Sequence, residues 1–209
     1  MASLRQMWCA VVVAFGLWGV MFSPLTAPHL DFWVVMTLAA LTLGGVATCW
    51  AVPPWWKRLR FGAGDVALGV GVAAGLWLAF WVGDRAAAWL FHFAPAQVQA
   101  IYGIRDGVSP WGLTALLACL IGPAEEIFWR GFVQEQLSRR WGANAGFIIA
   151  TGLYTAVHVA SCNFMLVGAA LVAGGVWGLC YRLFPGRFTG IILSHALWDV
   201  AVFIWFPIL

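Results

Sequence analysis

Charge is scarce in this chain. Asp, Glu, Lys and Arg together make up 9% of its 209 residues, where a soluble domain carries roughly a quarter. That shortage excludes an ordinary water-soluble fold. The net charge of +3 does not point to nucleic acid either, because the basic residues sit in short loops between apolar runs and form no patch. Cysteine is also sparse. Cys9, Cys49, Cys119, Cys162 and Cys180 are scattered over separate apolar segments, with no CxxC and no Cys/His zinc spacing. An odd, dispersed set reads as free thiols serving as small apolar residues; Cys162, beside a predicted outer loop, is the one to test for reactivity. HExxH is missing, and no serine stands in a nucleophile-elbow context.

What fills the space is apolar. Hydrophobic residues reach 63%, the mean hydropathy is +0.90, and there are fifteen tryptophans, a residue that favours the membrane–water interface. A span needs about 20 mostly apolar residues, and seven segments qualify: 7–23, 31–52, 65–83, 111–137, 143–161, 164–183 and 188–207. Pro24 and Pro28 punctuate the first loop, Pro53-Pro54 stops the second span, and Pro185-Gly186 separates the last two. The expected fold is an all-α polytopic membrane bundle of about seven transmembrane helices, forming a single membrane domain over residues 1–209. Residues 84–110 mix Trp89, Leu90, Phe91 and Phe93 with Asp84, Arg85, Gln97, Gln99, Arg105 and Asp106. They read as an amphipathic or re-entrant segment at the outer surface. The apolar run Trp8–Phe22 after Arg5 lacks a small-x-small cleavage site, so a retained first span is expected rather than a cleaved signal.

Orientation follows from the positive-inside rule. With the N-terminus cytoplasmic, Arg5, Lys57, Arg58, Arg60, Arg130, Arg139, Arg140, Arg182 and Arg187 fall inside, and only Arg85 and Arg105 fall outside. The C-terminus is then outside. Glycines cluster at Gly69/Gly71/Gly75 and Gly174/Gly175/Gly178, where small residues let helices approach closely in lipid.

Against this background a few polar residues stand out. A charge at mid-bilayer costs about 2.5–3.5 kcal/mol on insertion scales, and such residues mark functional sites by default. The first group is Pro123-Ala124-Glu125-Glu126-Ile127-Phe128-Trp129-Arg130. Glu126 and Arg130, four apart, share a helix face and can pair. Glu125 points about 100° away and is the freer carboxylate, hence the candidate base. Pro123 removes the hydrogen bond to the Cys119 carbonyl and predicts a kink, leaving the glutamates in the first turn after it. The second group runs Tyr154 to His158, and the third runs His195 to Asp199, each spaced i, i+4. At about 1.5 Å per residue, Glu125 lies about 18 Å, His195 roughly 10 Å and His158 about 22 Å from the inner ends of their spans. The three groups are expected to meet between the inner half and the middle of the membrane.

Three chemistries fit these residue types. A carboxylate base with a histidine can activate water for peptide hydrolysis. Two glutamates, two histidines and an aspartate can instead ligate zinc. A Glu/His/Asp chain also serves proton relays and small-solute transporters.

The ordered triple Glu125-Glu126-x-x-x-Arg130, aromatic-x-x-x-His158 and His195-x-x-x-Asp199 resembles the CPBP family of CAAX proteases and bacteriocin-processing enzymes. That family includes the type II CAAX prenyl endopeptidases and, by similarity, the myxosortase-like branch. The resemblance covers about residues 111–205, so residues 111–207 are the expected catalytic core. It implies a glutamic-type intramembrane endopeptidase with no cofactor, zinc being the alternative. The implied surroundings are the lipid bilayer of a prokaryotic inner membrane, with a membrane-anchored or lipidated protein tail as substrate and no nucleic acid. Glu125 would activate water with His158 assisting, Glu126 and Arg130 would support, and His195 and Asp199 would line the oxyanion side. Other family members act without proteolysis, in bacteriocin immunity or scaffolding. Two positions depart from the family pattern: Tyr154 stands where Phe is usual, and Asp199 where Asn is frequent. Asp199 either becomes protonated by burial or orients His195 as a charged partner, and the four-residue spacing favours the second.

Overall fold

The computed structural model describes residues 4–208; the outermost positions of the expected 1–209 unit, 1–3 and 209, lie outside the described residues. Every regular element among the described residues is helical, and seven helices are long and apolar enough to cross a membrane. The helices are α1 Leu4–Phe22, α2 Phe32–Trp50, α3 Ala63–Leu90, the short α4 Ala94–Gly103, α5 Pro110–Trp141, α6 Ala143–Val157, α7 Phe164–Leu183 and α8 Phe188–Val200, the last prolonged by wider turns over Ala201–Trp205; all but α4 belong to the seven spans. This is an integral membrane protein. Large apolar side chains such as Val12, Leu38, Leu78 and Ile148 project outward, an arrangement that suits lipid and not water.

Side-chain caps start several of these helices. Asp31 accepts from the Val34 N–H at α2, Ser109 from Gly112 at α5, and Asn163 from Leu166 at α7, supplying acceptors for orphan amides. Gly142 turns the chain between α5 and α6 at φ 88°, a region that glycine enters without a Cβ penalty.

Two expectations change here. The third span does not end at residue 83. It runs 28 residues to Leu90 and takes Asp84 and Arg85 into its last turns. The amphipathic segment therefore reduces to α4 and its flanking turns. The two charges did not end the helix, because both lie near its outer end, where their heads leave the apolar layer. Arg85 lies over the Trp81 ring at 4.1 Å and beside Asp84 at 3.6 Å. The expected break at Pro123 is also absent. The chain stays helical through it, because a π-turn over Leu117–Ile121 widens the coil and the Gly122 N–H bonds back five residues to Leu117. That accommodates the missing proline donor while the coil stays helical. A second π-turn covers Trp129–Gln134.

Because successive spans alternate in direction, the bundle has two distinct ends. The basic end gathers the start of α1 and the turns between α2 and α3, α5 and α6, and α7 and α8. The cavity end gathers the other connections, α4 and the segment after α8. The interior at the basic end is solid: Phe128, Phe132, Val133, Leu137 and Phe188 are fully buried. Arg58 closes it by donating to the Gly131 carbonyl at 2.7 Å and to the Tyr181 hydroxyl, with Glu135 at 3.2 Å.

Candidate active site

The polar groups of α5, α6 and α8 meet. Glu126 is fully buried, and its Oε1 takes two donors. One is Nη1 of Arg130 at 2.7 Å, the expected i, i+4 pair. The other is Nδ1 of His195 at 2.7 Å. Arg130 also donates to the Gly174 carbonyl at 3.0 Å and lies between the rings of Tyr154 and Trp177, 4.8 and 5.6 Å from their centres. A buried charge on this scale needs such a network of partners, since desolvation otherwise outweighs the pairing.

Close helix contact makes the pairing possible. A Cβ at Gly122 would lie 3.3 Å from the Ala196 backbone. α5 and α8 therefore touch one turn before Glu126, and His195 is delivered to it. His195 lies flat against Trp177, with centroids 3.7 Å apart and planes at 14°. The Trp177 N–H in turn donates to Ser194 Oγ at 2.8 Å, so the serine beside His195 braces the indole. Of the glycine cluster on α7, Gly174 and Gly178 make close approaches. A Cβ at Gly174 would come within 2.6 Å of Tyr154 Cδ1, while Gly175 faces open space.

Glu125 occupies a different face. Its Oε2 accepts the Tyr154 hydroxyl at 3.0 Å. The family pattern has Phe at this position, so the departure supplies a direct partner for the candidate base. His158 lies just past the end of α6. Its Nδ1 is 2.8 Å from the Tyr154 carbonyl and its Nε2 receives the Trp18 indole N–H at 3.2 Å. An indole only donates, so Nε2 is the acceptor and Nδ1 carries the proton. His158 is thus a neutral ring with both nitrogens engaged. Phe22 flanks it at 5.7 Å.

Asp199 is half-buried, with Oδ2 3.5 Å from His195 Nε2. That separation is longer than a good hydrogen bond. The partner that orients His195 most closely is Glu126, not Asp199 as the spacing suggested. The reason is tertiary: the α5–α8 contact brings a carboxylate from another helix nearer than the one four residues on.

These groups line an apolar cavity of about 440 Å³. Glu125, Tyr154, His158, His195 and Asp199 face it, along with Trp33, Phe80, Tyr102, Trp177 and Trp198. Glu125 sits at the middle of its span, within the expected range of depth, and the cavity extends from there toward the cavity end. Its lining comes from the halves of α2, α3, α5, α6, α7 and α8 nearest the cavity end, and His158 terminates its helix there.

For zinc, the donor set is largely spoken for. Glu126 already carries a guanidinium and His158 has no free nitrogen, and among the described residues no three His, Cys, Asp or Glu side chains are grouped to hold a metal ion. All five cysteines are unpaired.

Three contributors escaped the motif reading. Trp18 lies in α1, a span with no recognisable motif, Trp177 was masked by the commonness of Trp, and Ser194 stands in no nucleophile-elbow context. The i, i+3 spacing of Gly174 and Trp177 on α7 was the available signal.

The arrangement defines a polytopic membrane protein that encloses a Glu/Arg/His/Asp cluster at the base of an apolar cavity. Residues 107–201 match the family model described as type II CAAX prenyl endopeptidase Rce1-like, and this segment holds Glu125, Glu126, Arg130, Tyr154, His158, His195 and Asp199. No curated protein and no solved structure matches the chain.

Proposed function

We propose that this protein is a glutamic-type intramembrane endopeptidase that hydrolyses a peptide bond near the C-terminal tail of a membrane-anchored or lipidated protein. The observation that carries this reading is the division of labour between adjacent glutamates. Glu126 is neutralised by Arg130 and His195, whereas Glu125 faces the cavity with only the Tyr154 hydroxyl on one oxygen.

The chemistry follows. Water between Glu125 and a scissile carbonyl gives its proton to the Glu125 carboxylate as its oxygen bonds to the carbonyl carbon. The carbonyl electrons move to oxygen, and the oxyanion is met by a donor on the His195–Asp199 side. With Nδ1–H given to Glu126, Nε2 donates only in the imidazolium form, so the donor is Nε2–H of a doubly protonated His195. Collapse breaks the C–N bond, and Glu125 returns the proton to the leaving amine. His158 contributes through its fixed, neutral ring on the cavity wall, held by the same Tyr154 that reaches Glu125. The apolar walls exclude bulk water and accept the tail from the bilayer. Residues 111–207 supply this chemistry within a single membrane domain, and α1 adds Trp18.

The test is purified protein with Glu125→Gln or Glu125→Ala against a library of quenched-fluorescent, N-palmitoylated C-terminal peptides. Wild type is expected to cleave and both variants to fall to background. Cleavage at the wild-type rate by either variant would remove Glu125 as the base.

A further inference from the structure

The site is set on one side of the membrane, and the charges say which. At the basic end lie Arg5, Lys57, Arg58, Arg60, Arg139, Arg140, Arg182 and Arg187; at the cavity end lie only Arg85 and Arg105, with Arg130 buried between. Short loops rich in Lys and Arg are retained in the cytoplasm. Among the described residues the cavity reaches toward the end away from the basic loops. Packed aromatics and the Arg58 clamp seal the basic end, as described above. At the other end a polar vestibule between α3 and α4, lined by Asp84, Gln99, Arg105 and Asp106, shares Asp84, Val98 and Tyr102 with the apolar cavity. Polar, irregular chain at membrane depth is tolerated where it borders a water-filled space. The vestibule supplies the route by which water and the polar part of a tail reach Glu125.

We infer that the cavity opens on the extracytoplasmic face, so that the substrate is the tail of an exported, membrane-anchored protein and not a tail held at the cytoplasmic surface. The sidedness stands on charge and cavity position alone; the substrate class rests also on the endopeptidase reading above. A tail at the cytoplasmic surface would meet the sealed, cationic end of the bundle. An exported tail meets the vestibule and has an apolar path from there to the Glu125 carboxylate.

Two measurements separate the parts. In a variant with alanine at all five cysteines, Gln99→Cys and Lys57→Cys are treated in intact cells with a membrane-impermeant maleimide. Labelling of Gln99→Cys with Lys57→Cys protected until lysis is expected, and the reverse pattern overturns the sidedness. Alkaline phosphatase fused after residue 209, active only outside the cytoplasm, reads the same question without cysteine changes: an active fusion supports the inference and an inactive one overturns it. Palmitoylated quenched-fluorescent peptides are then added to right-side-out and inside-out vesicles, with Glu125→Gln vesicles as the blank. Cleavage confined to right-side-out vesicles is expected. Cleavage confined to inside-out vesicles overturns this inference while leaving the endopeptidase reading intact. No cleavage in either, nor by solubilised protein, overturns the endopeptidase reading and with it the substrate class, while the labelling still decides the sidedness.

Discussion

The indole of Trp18 donates to Nε2 of His158 at 3.2 Å, across 140 positions of sequence. The bond fixes the histidine as the Nδ1–H tautomer, because among the described residues the other polar contact of the ring is the Tyr154 carbonyl. Trp18→Phe keeps an aromatic ring and removes the donor. A buried hydrogen bond is worth about 1 kcal/mol, so a fall in kcat of roughly fivefold with little change in KM is expected. Nitrogen NMR of His158 distinguishes positioning from mere packing: the two ring nitrogens should lose their fixed tautomer pattern in Trp18→Phe. An unchanged pattern would refute the role.

Tyr154→Phe restores the residue usual in the family and deletes only the hydroxyl that reaches Glu125. Hydrogen bonds to charged groups contribute about 1.5–3 kcal/mol, and a tenfold or larger loss of kcat/KM is expected if the bond orients the base during reaction. Unfolding temperature in detergent should move little. Full activity would show that Glu125 is held by the surrounding helix alone.

Gly174→Ala introduces a methyl 2.6 Å from Tyr154 Cδ1 on a helix whose carbonyl there also holds Arg130. Overpacking of this kind costs about 1–3 kcal/mol. Both stability and cleavage are expected to drop, whereas Gly175→Ala, with nothing near its Cβ, should leave both unchanged. Thermal unfolding of the two variants side by side makes the comparison.

Removing Arg130 leaves Glu126 buried with a single donor. Breaking a buried pair in this way costs about 3–5 kcal/mol, so Arg130→Ala is expected to express poorly or unfold early. Arg130→Lys should rescue only part of the loss, because a lysine cannot span Glu126, the Gly174 carbonyl and two aromatic faces together. Rescue to wild-type stability by lysine would mean that charge alone matters.

Asp199 is the remaining departure from the family pattern. At 3.5 Å from His195 Nε2 it is a neighbour of the ring more than its anchor. Asp199→Asn is expected to retain activity and Asp199→Ala to lose much of it, as a hydrogen-bonding wall of the cavity requires. A dead Asn variant with wild-type stability would instead show that the negative charge is needed.

Much of the molecule was legible from residues alone. Long apolar runs in a chain this poor in charge can only be spans, so seven helices emerged with ends close to those found. The Glu126–Arg130 pair was legible because an i, i+4 relation is local. The run 84–110 was misjudged at its start because Asp84 and Arg85 look like a helix end when read by composition. Near the interface their heads reach water and the helix continues to Leu90.

The site itself was legible only in part. Glu125, His158, His195 and Asp199 announced themselves as charges and imidazoles where lipid should be. Nothing local announced Trp18 or Trp177, since an indole in a membrane span is ordinary.

The sequence by itself determined the helices, the membrane and the list of polar side chains, because each is set by apolar length or by spacing within one helix. Only the tertiary structure decided which side chains pair across helices. The contact of Gly122 with Ala196 gave His195 to Glu126, α1 gave Trp18 to His158, and the relative placement of six helices put the cavity at the end away from the basic loops. Those relations depend on how helix faces meet, and a pattern along one chain does not encode the distance between two faces until the bundle has packed.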